Sequence, residues 1–116
     1  MTVSEIAGSL VALCREGKFD DAYSTLFAEN ARSIEPDGAT ATGLDALHAK
    51  AAAWGAANDI RSVSVTGPFL GGDSFAVVFT MEIVQKESGN VAQFAEIALY
   101  AVQDGKITEE RFLYGQ

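Results

Sequence analysis

Residues 96–114 read EIALYAVQDGKITEERFLY, two runs of strand-forming residues joined at Asp104-Gly105, and their pairing decides which side chains share a face. If Gly105 is the third residue of a three-residue loop with a bulge, Val102 pairs with Lys106. Glu96 then lies opposite Phe112, Ala98 opposite Glu110, Tyr100 opposite Thr108 and Phe94 opposite Tyr114. One face carries Phe94, Glu96, Ala98, Tyr100, Glu110, Phe112 and Tyr114. The other carries Ala95, Ile97, Leu99, Ala101, Ile107, Glu109, Arg111 and Leu113. Both faces are partly apolar, so the second is expected to be covered by another copy of the chain, giving a homodimer through the sheet.

Upstream, the period of two continues through Val63 and Val65 and through Phe75, Val77, Phe79, Met81 and Ile83. Gly71-Gly72-Asp73 and Ser88-Gly89-Asn90 are suited to tight hairpins, which makes this half of the chain a meander from Ile60 onward. Before Ile60 the period is helical. Ile6, Leu10, Leu13 and Cys14 form a stripe after Ser4, a candidate N-cap, and Gly17 stops that helix. Ala22, Tyr23, Leu26 and Phe27 form a second stripe from about Asp20. Ala31 to Glu35 reads as a short strand broken by Pro36-Asp37-Gly38, with a loop running on to Gly43. LDALHAKAAAWGAAN, residues 44–58, is the third helix, with Leu44, Leu47, Ala51 and Trp54 on one face. Three helices followed by strands predict an α+β fold, the helices packed on one side of a strongly bent, mostly antiparallel sheet.

The chain has 116 residues, 48% of them apolar and only two of them proline, as expected of one globular domain spanning residues 1–116. Sixteen acids against eight bases give a net charge of −8, which disfavours nucleic acid and anionic membrane as partners. No apolar run approaches the ~20 residues that a bilayer-spanning helix needs. The single cysteine, Cys14, makes neither an internal disulfide nor a thiolate cluster, and its stripe of apolar neighbours reads as core packing. With no signal-like N-terminus, the expected location is the cytoplasm.

Glu96 and Glu110 fall among aromatics on one sheet face, where a carboxylate is costly unless paired, hydrogen-bonded or protonated. They are candidates for proton transfer, or acids at a wet sheet end. At least one of Glu35, Glu96 and Glu110 is expected to titrate above the usual carboxylate range. His48, the only histidine, lies beside the apolar face of the third helix and reads either as an acid or base or as a structural residue. Trp54 is either the roof of a pocket or plain core. Gly71-Gly72 lacks the helix and lysine of a phosphate loop, and a lone histidine makes no zinc site.

The stretches FDDAYSTLFAENARSIEP, TGLDALHAKAAAW and EIALYAVQDGKITEERFLY, in this order along the whole chain, resemble the SnoaL-like proteins of the nuclear transport factor 2 and ketosteroid isomerase superfamily. The resemblance implies a cone-shaped, cystatin-like fold around an apolar pocket. Its members include isomerases, cyclases, dehydratases, carrier modules and proteins without known activity. It puts Glu35 where ketosteroid isomerases hold their general base. It puts Leu10 and Ala98 where they hold the two donors to the enolate oxygen, which argues against steroid isomerisation by that constellation. Tyr100, Tyr114 and Tyr23 are the hydroxyls best placed to replace those donors. The resemblance also puts Val77, Phe79, Met81, Glu110, Phe112 and Tyr114 on the pocket wall.

Two functions follow as expectations. In the first, an enclosed pocket lined by Trp54, Val77, Phe79, Met81, Ala98, Tyr100, Phe112 and Tyr114 binds a small, mostly apolar molecule. Its catalytic form uses Glu35 as base, with Glu96, Glu110 and His48 as the other proton-handling groups and with no cofactor or metal. In the second, the chain is a non-catalytic dimeric binding or scaffold module whose interior is filled by its own side chains.

Overall fold

A computed structural model describes residues 1–114, with side chains placed to residue 113. Its elements are α1 (Val3–Arg15), α2 (Phe19–Leu26), β1 (Phe27–Ile34), β2 (Thr40–Thr42), α3 (Leu44–Ala57), β3 (Asn58–Gly71), β4 (Ser74–Gln85), β5 (Val91–Gln103) and β6 (Lys106–Tyr114). The strands form one sheet in the order β2-β1-β6-β5-β4-β3. Every pair is antiparallel except β1 with β6. Bulges between Ile60 and Ser62 and between Thr66 and Phe69 interrupt the β3–β4 ladder, and such insertions bend a sheet. Among the described residues no helix is long and apolar enough to cross a membrane.

The helices begin and end for local reasons. Thr2, not Ser4, caps α1: its side chain accepts from the Glu5 amide while the Glu5 carboxylate accepts from the Thr2 amide. Ile6, Ala7, Leu10, Val11 and Cys14 then face the sheet, and Arg15 donates to the Val65 carbonyl at 2.9 Å, tying the end of α1 to β3. Helix α2 stops at Leu26, where Phe27 turns extended and starts β1, so Phe27 belongs to a strand and not to the helical stripe. The segment expected as a loop up to Gly43 contains β2, whose residues pair with Arg32–Ile34.

Strand β4 keeps the expected alternation, with Phe75, Val77, Phe79, Met81 and Ile83 all buried. Tyr100 stacks on its cross-strand partner Phe75 with ring centroids 4.9 Å apart. The same core takes in Ala98, Val102 and Ile107 and the inner stripes of α1 and α2.

The β5–β6 hairpin departs from its expected register. Gln103 pairs with Lys106, leaving Asp104 and Gly105 alone in the turn, both with positive φ (51° and 76°). That is a two-residue turn of the mirror-image type that Asp-Gly favours, and Gly105 takes the left-handed conformation without a Cβ penalty. The bulge lies farther on, between Ala101 and Val102 on β5, where Thr108 is the extra residue of β6. Ile107 is thereby turned into the core, not onto the outer face. Beyond the bulge the register is shifted by two residues from expectation, so Tyr100 faces Glu110, Ala98 faces Phe112 and Glu96 faces Tyr114. A shift of two preserves the face.

Candidate functional site

Helix α3 shows how the sequence makes space. Leu47 is its only buried residue, because the alanines around it offer too little side chain to fill the volume between α3 and the sheet. A cavity of about 760 Å³ remains there. Its floor includes Leu10, Cys14, Tyr100 and Glu110, and its sheet wall includes Phe79, Met81, Phe94, Glu96 and Phe112. Lys50, Ala51 and Trp54 cover it from α3. The cavity is not enclosed: Trp54 is 37% exposed, and the exposed residues at the α3–β3 junction, Ala57, Asp59 and Ile60, form its mouth.

A chain of polar contacts runs into this apolar space. Glu110 is 4% exposed, and its Oε1 accepts from Tyr23 Oη at 2.9 Å and from Ser33 Oγ at 2.8 Å. The Ser33 hydroxyl in turn accepts from Lys50 Nζ at 2.8 Å, and Lys50 Nζ lies 2.5 Å from Glu35 Oε1 and 5.2 Å from the Phe112 ring centre. The local sequence explains the order. Ser33 and Glu35 are two apart at the end of β1, and the parallel pairing of Ser33 with Glu110 brings β6 alongside. Lys50 is three residues beyond Leu47, on the same side of α3.

Burial pushes the Glu110 carboxyl above its ordinary value, and the hydrogen bonds from Ser33 and Tyr23 and the Lys50 charge partly offset that. Glu96 is pushed up to about 7, first by burial and then by the charges of Glu35 and Glu110, against a smaller opposing pull from Lys50. Burial and the nearby Glu110 charge also raise the Tyr23 and Tyr100 hydroxyls, so both remain donors at neutral pH. The Cys14 thiol is raised to about 12 by the same two causes, which removes it as a nucleophile although it lines the floor.

Of the residues singled out from sequence, Glu35, Glu96, Glu110, Trp54, Phe79, Met81, Tyr100 and Phe112 all line the one cavity. Val77 and Ala98 do not: both are fully buried in the core against which α1 packs. Tyr114 pairs with Glu96 through its backbone, and the expectation for its side chain lies outside the described residues. His48 is also absent from the cavity. It sits in the seam between α2 and α3, with Nδ1 3.0 Å from Asp20 Oδ1, Nε2 3.3 Å from Ser24 Oγ and its ring edge-on to Tyr23. Leu10 contributes an apolar floor residue and no donor.

Ser33 and Lys50 were not singled out from sequence. A lysine four residues before Trp54, on the apolar side of an alanine-rich helix, is the signal that points to Lys50. Ser33 carries a fainter one, a small polar residue two positions before Glu35 in an alternating strand. Among the described residues no group of three or more His, Cys, Asp or Glu side chains is arranged to hold a metal ion.

This arrangement has relatives. A Mesorhizobium loti protein assigned as a SnoaL-like polyketide cyclase is 34% identical over 98% of this chain and 100% of its own, with a TM-score of 0.93. TerC, co-crystallised with polyporic acid, is 16% identical over 97% of this chain and 91% of its own, with a TM-score of 0.80. A hypothetical protein of Catenulispora acidiphila with a ketosteroid isomerase-like fold, in complex with trimethylamine, is 24% identical over 99% of this chain and 88% of its own, with a TM-score of 0.75. No curated protein matches the chain. The profile of the SnoaL-like domain matches residues 1–114, and the chain belongs to that family.

Proposed function

We propose that the cavity binds a small, mostly apolar molecule and moves a proton on it, with Glu35 as the base and Glu96 as the acid that holds a proton near neutrality. The observation that carries this reading is the placement of two carboxyls in one apolar cavity in different surroundings. Glu35 faces the Lys50 ammonium, whereas Glu96 sits among aromatics and other acids. An acid role near neutral pH requires a carboxyl that still holds its proton there, which the raised Glu96 supplies, while Glu35 beside the Lys50 ammonium faces the same space. The Tyr23 and Tyr100 hydroxyls support the site by holding the Glu110 carboxyl. The cyclase assignment of the Mesorhizobium loti relative is consistent with chemistry of this kind.

The test is exchange of the acidic α-protons of 2-tetralone in deuterated buffer near pH 7, followed by proton NMR. Exchange above the buffer rate, lost in Glu35→Gln, is the expected result. Quenching of Trp54, the only tryptophan, reports binding separately. Binding without accelerated exchange would reduce the protein to a carrier.

The outer sheet face supports the homodimer. Ile97, Leu99 and Leu113 are 39%, 40% and 42% exposed there, and Ile97 lies opposite Leu113. Sedimentation is expected to show a dimer, and Leu99→Lys is expected to give a folded monomer. A native chain that sediments as a monomer would overturn this.

A further inference from the structure

We infer that the molecule this cavity takes carries a positively charged nitrogen, seated against the Glu96 carboxylate, with its apolar body among Phe79, Phe94 and Phe112. This rests on the cavity being a small-molecule site and not on Glu96 being the acid of the reaction; it adds the charge of the occupant. An acid accompanies TerC and an amine accompanies the Catenulispora acidiphila protein, so the fold alone does not settle that charge. It has to come from this chain's own lining.

The lining holds the carboxyls of Asp20, Glu35, Asp59, Glu96 and Glu110 and, among the described residues, the single ammonium of Lys50. Four of the acids already have protein partners. Asp20 faces His48, Asp59 faces Lys86 at 3.6 Å, Glu35 faces Lys50, and Glu110 accepts from Tyr23 and Ser33. Glu96 accepts no hydrogen bond from the described residues. Phe79 lies directly across from it on β4, and Phe94 precedes it by two on the same face of β5. A carboxylate among ring systems is the pairing that favours an organic cation, by charge and through the ring faces. An anionic ligand would meet an excess of negative charge, and Lys50 is already engaged by Glu35 and Ser33.

The cavity contains a precedent for this chemistry. Its own ammonium, on Lys50, is held between a carboxylate and the Phe112 ring. Glu96 offers a second place of the same kind. The groups bearing on Glu96 are Glu35 at the end of β1, Glu110 on β6 and Lys50 on α3. The two acids oppose its ionisation, and an incoming cation relieves that repulsion. Cation binding and proton loss at Glu96 are therefore linked, and affinity should rise with pH through neutrality.

The experiment uses three probes with one apolar body: 3-phenylpropylammonium, 3-phenylpropanol and 3-phenylpropanoate. Binding is followed by Trp54 fluorescence and by calorimetry at about pH 6 and about pH 8. The ammonium is expected to bind about tenfold tighter than the alcohol at the higher pH, with the advantage shrinking at the lower pH. Glu96→Gln should remove the ammonium's advantage over the alcohol, with an unchanged far-ultraviolet circular dichroism spectrum showing that the variant is folded. Equal or tighter binding of the alcohol or the carboxylate would overturn the inference and leave the small-molecule reading standing. Failure of all three probes to bind would overturn both.

Discussion

Lys50→Met is expected to destabilise the protein by about 2 kcal/mol at pH 8 and by less than about 1 kcal/mol at pH 5. Methionine keeps most of the apolar stem, so the change isolates the charge. At pH 8 the variant leaves Glu35, Glu96 and Glu110 without the ammonium that now sits beside Glu35 and is bridged to Glu110 through Ser33. The Lys50 and Glu35 side chains are only 29% and 27% exposed, which places the cost between that of a surface pair and a fully buried one. The pH dependence follows from proton binding. Lys50 now holds the Glu96 and Glu110 carboxyls down, so its removal raises both in the folded state. The folded variant then keeps protons that its unfolded chain has lost, and its stability falls more steeply as pH rises. Urea unfolding at the two pH values measures this. The same loss at both would show that Lys50 contributes packing and not charge.

What the sequence discloses and what it hides have separate physical causes. Strand β4 is legible residue by residue because its inward side chains are large and apolar and alternate without interruption. The closing hairpin is legible in its faces but not in its pairing. Asp104-Gly105 serves equally well in a two-residue turn and in a longer loop with a bulge. Nothing about Thr108 announces an extra residue. Glu96 and Glu110 nevertheless fall on the expected side, because two residues of offset restore the alternation.

The α3 stripe misleads in a different way. Leu44, Leu47, Ala51 and Trp54 have the spacing of a core helix, yet the helix roofs a cavity and only Leu47 is buried. Helical spacing reports which side faces inward and not whether anything fills the space beneath. For the same reason Val77 and Ala98, on the inward face, lie in solid core while Phe79 and Met81 reach open volume. Ser33 and Lys50 could be joined to Glu110 only once β1 was known to run parallel to β6, a long-range pairing that local patterning does not encode.

Glu96→Gln is expected to stabilise the protein by about 1–2 kcal/mol at pH 8 and to change little near pH 4. An ordinary glutamate titrates near ~4.3, as Glu96 does in the unfolded chain. In the folded protein burial and the neighbouring acids push it up to about 7. Between those two values the folded state binds the proton and the unfolded state does not. The contribution of this carboxyl to stability is therefore complete below the lower value and is lost as pH rises through the upper one. The full difference would correspond to about 4 kcal/mol, and solvent screening of a half-buried side chain reduces it to the expected range. Glutamine has no charge to desolvate, so the variant should lose much of the decline that the native protein shows between about pH 5 and pH 8. Glu110, raised as well and left in place, keeps some of the slope. Chemical denaturation across that range would reveal it. Superimposable pH profiles for the two proteins would mean that Glu96 is hydrated enough to titrate normally, and would remove it both as the acid of the proposed reaction and as a carboxylate whose charge waits on a ligand.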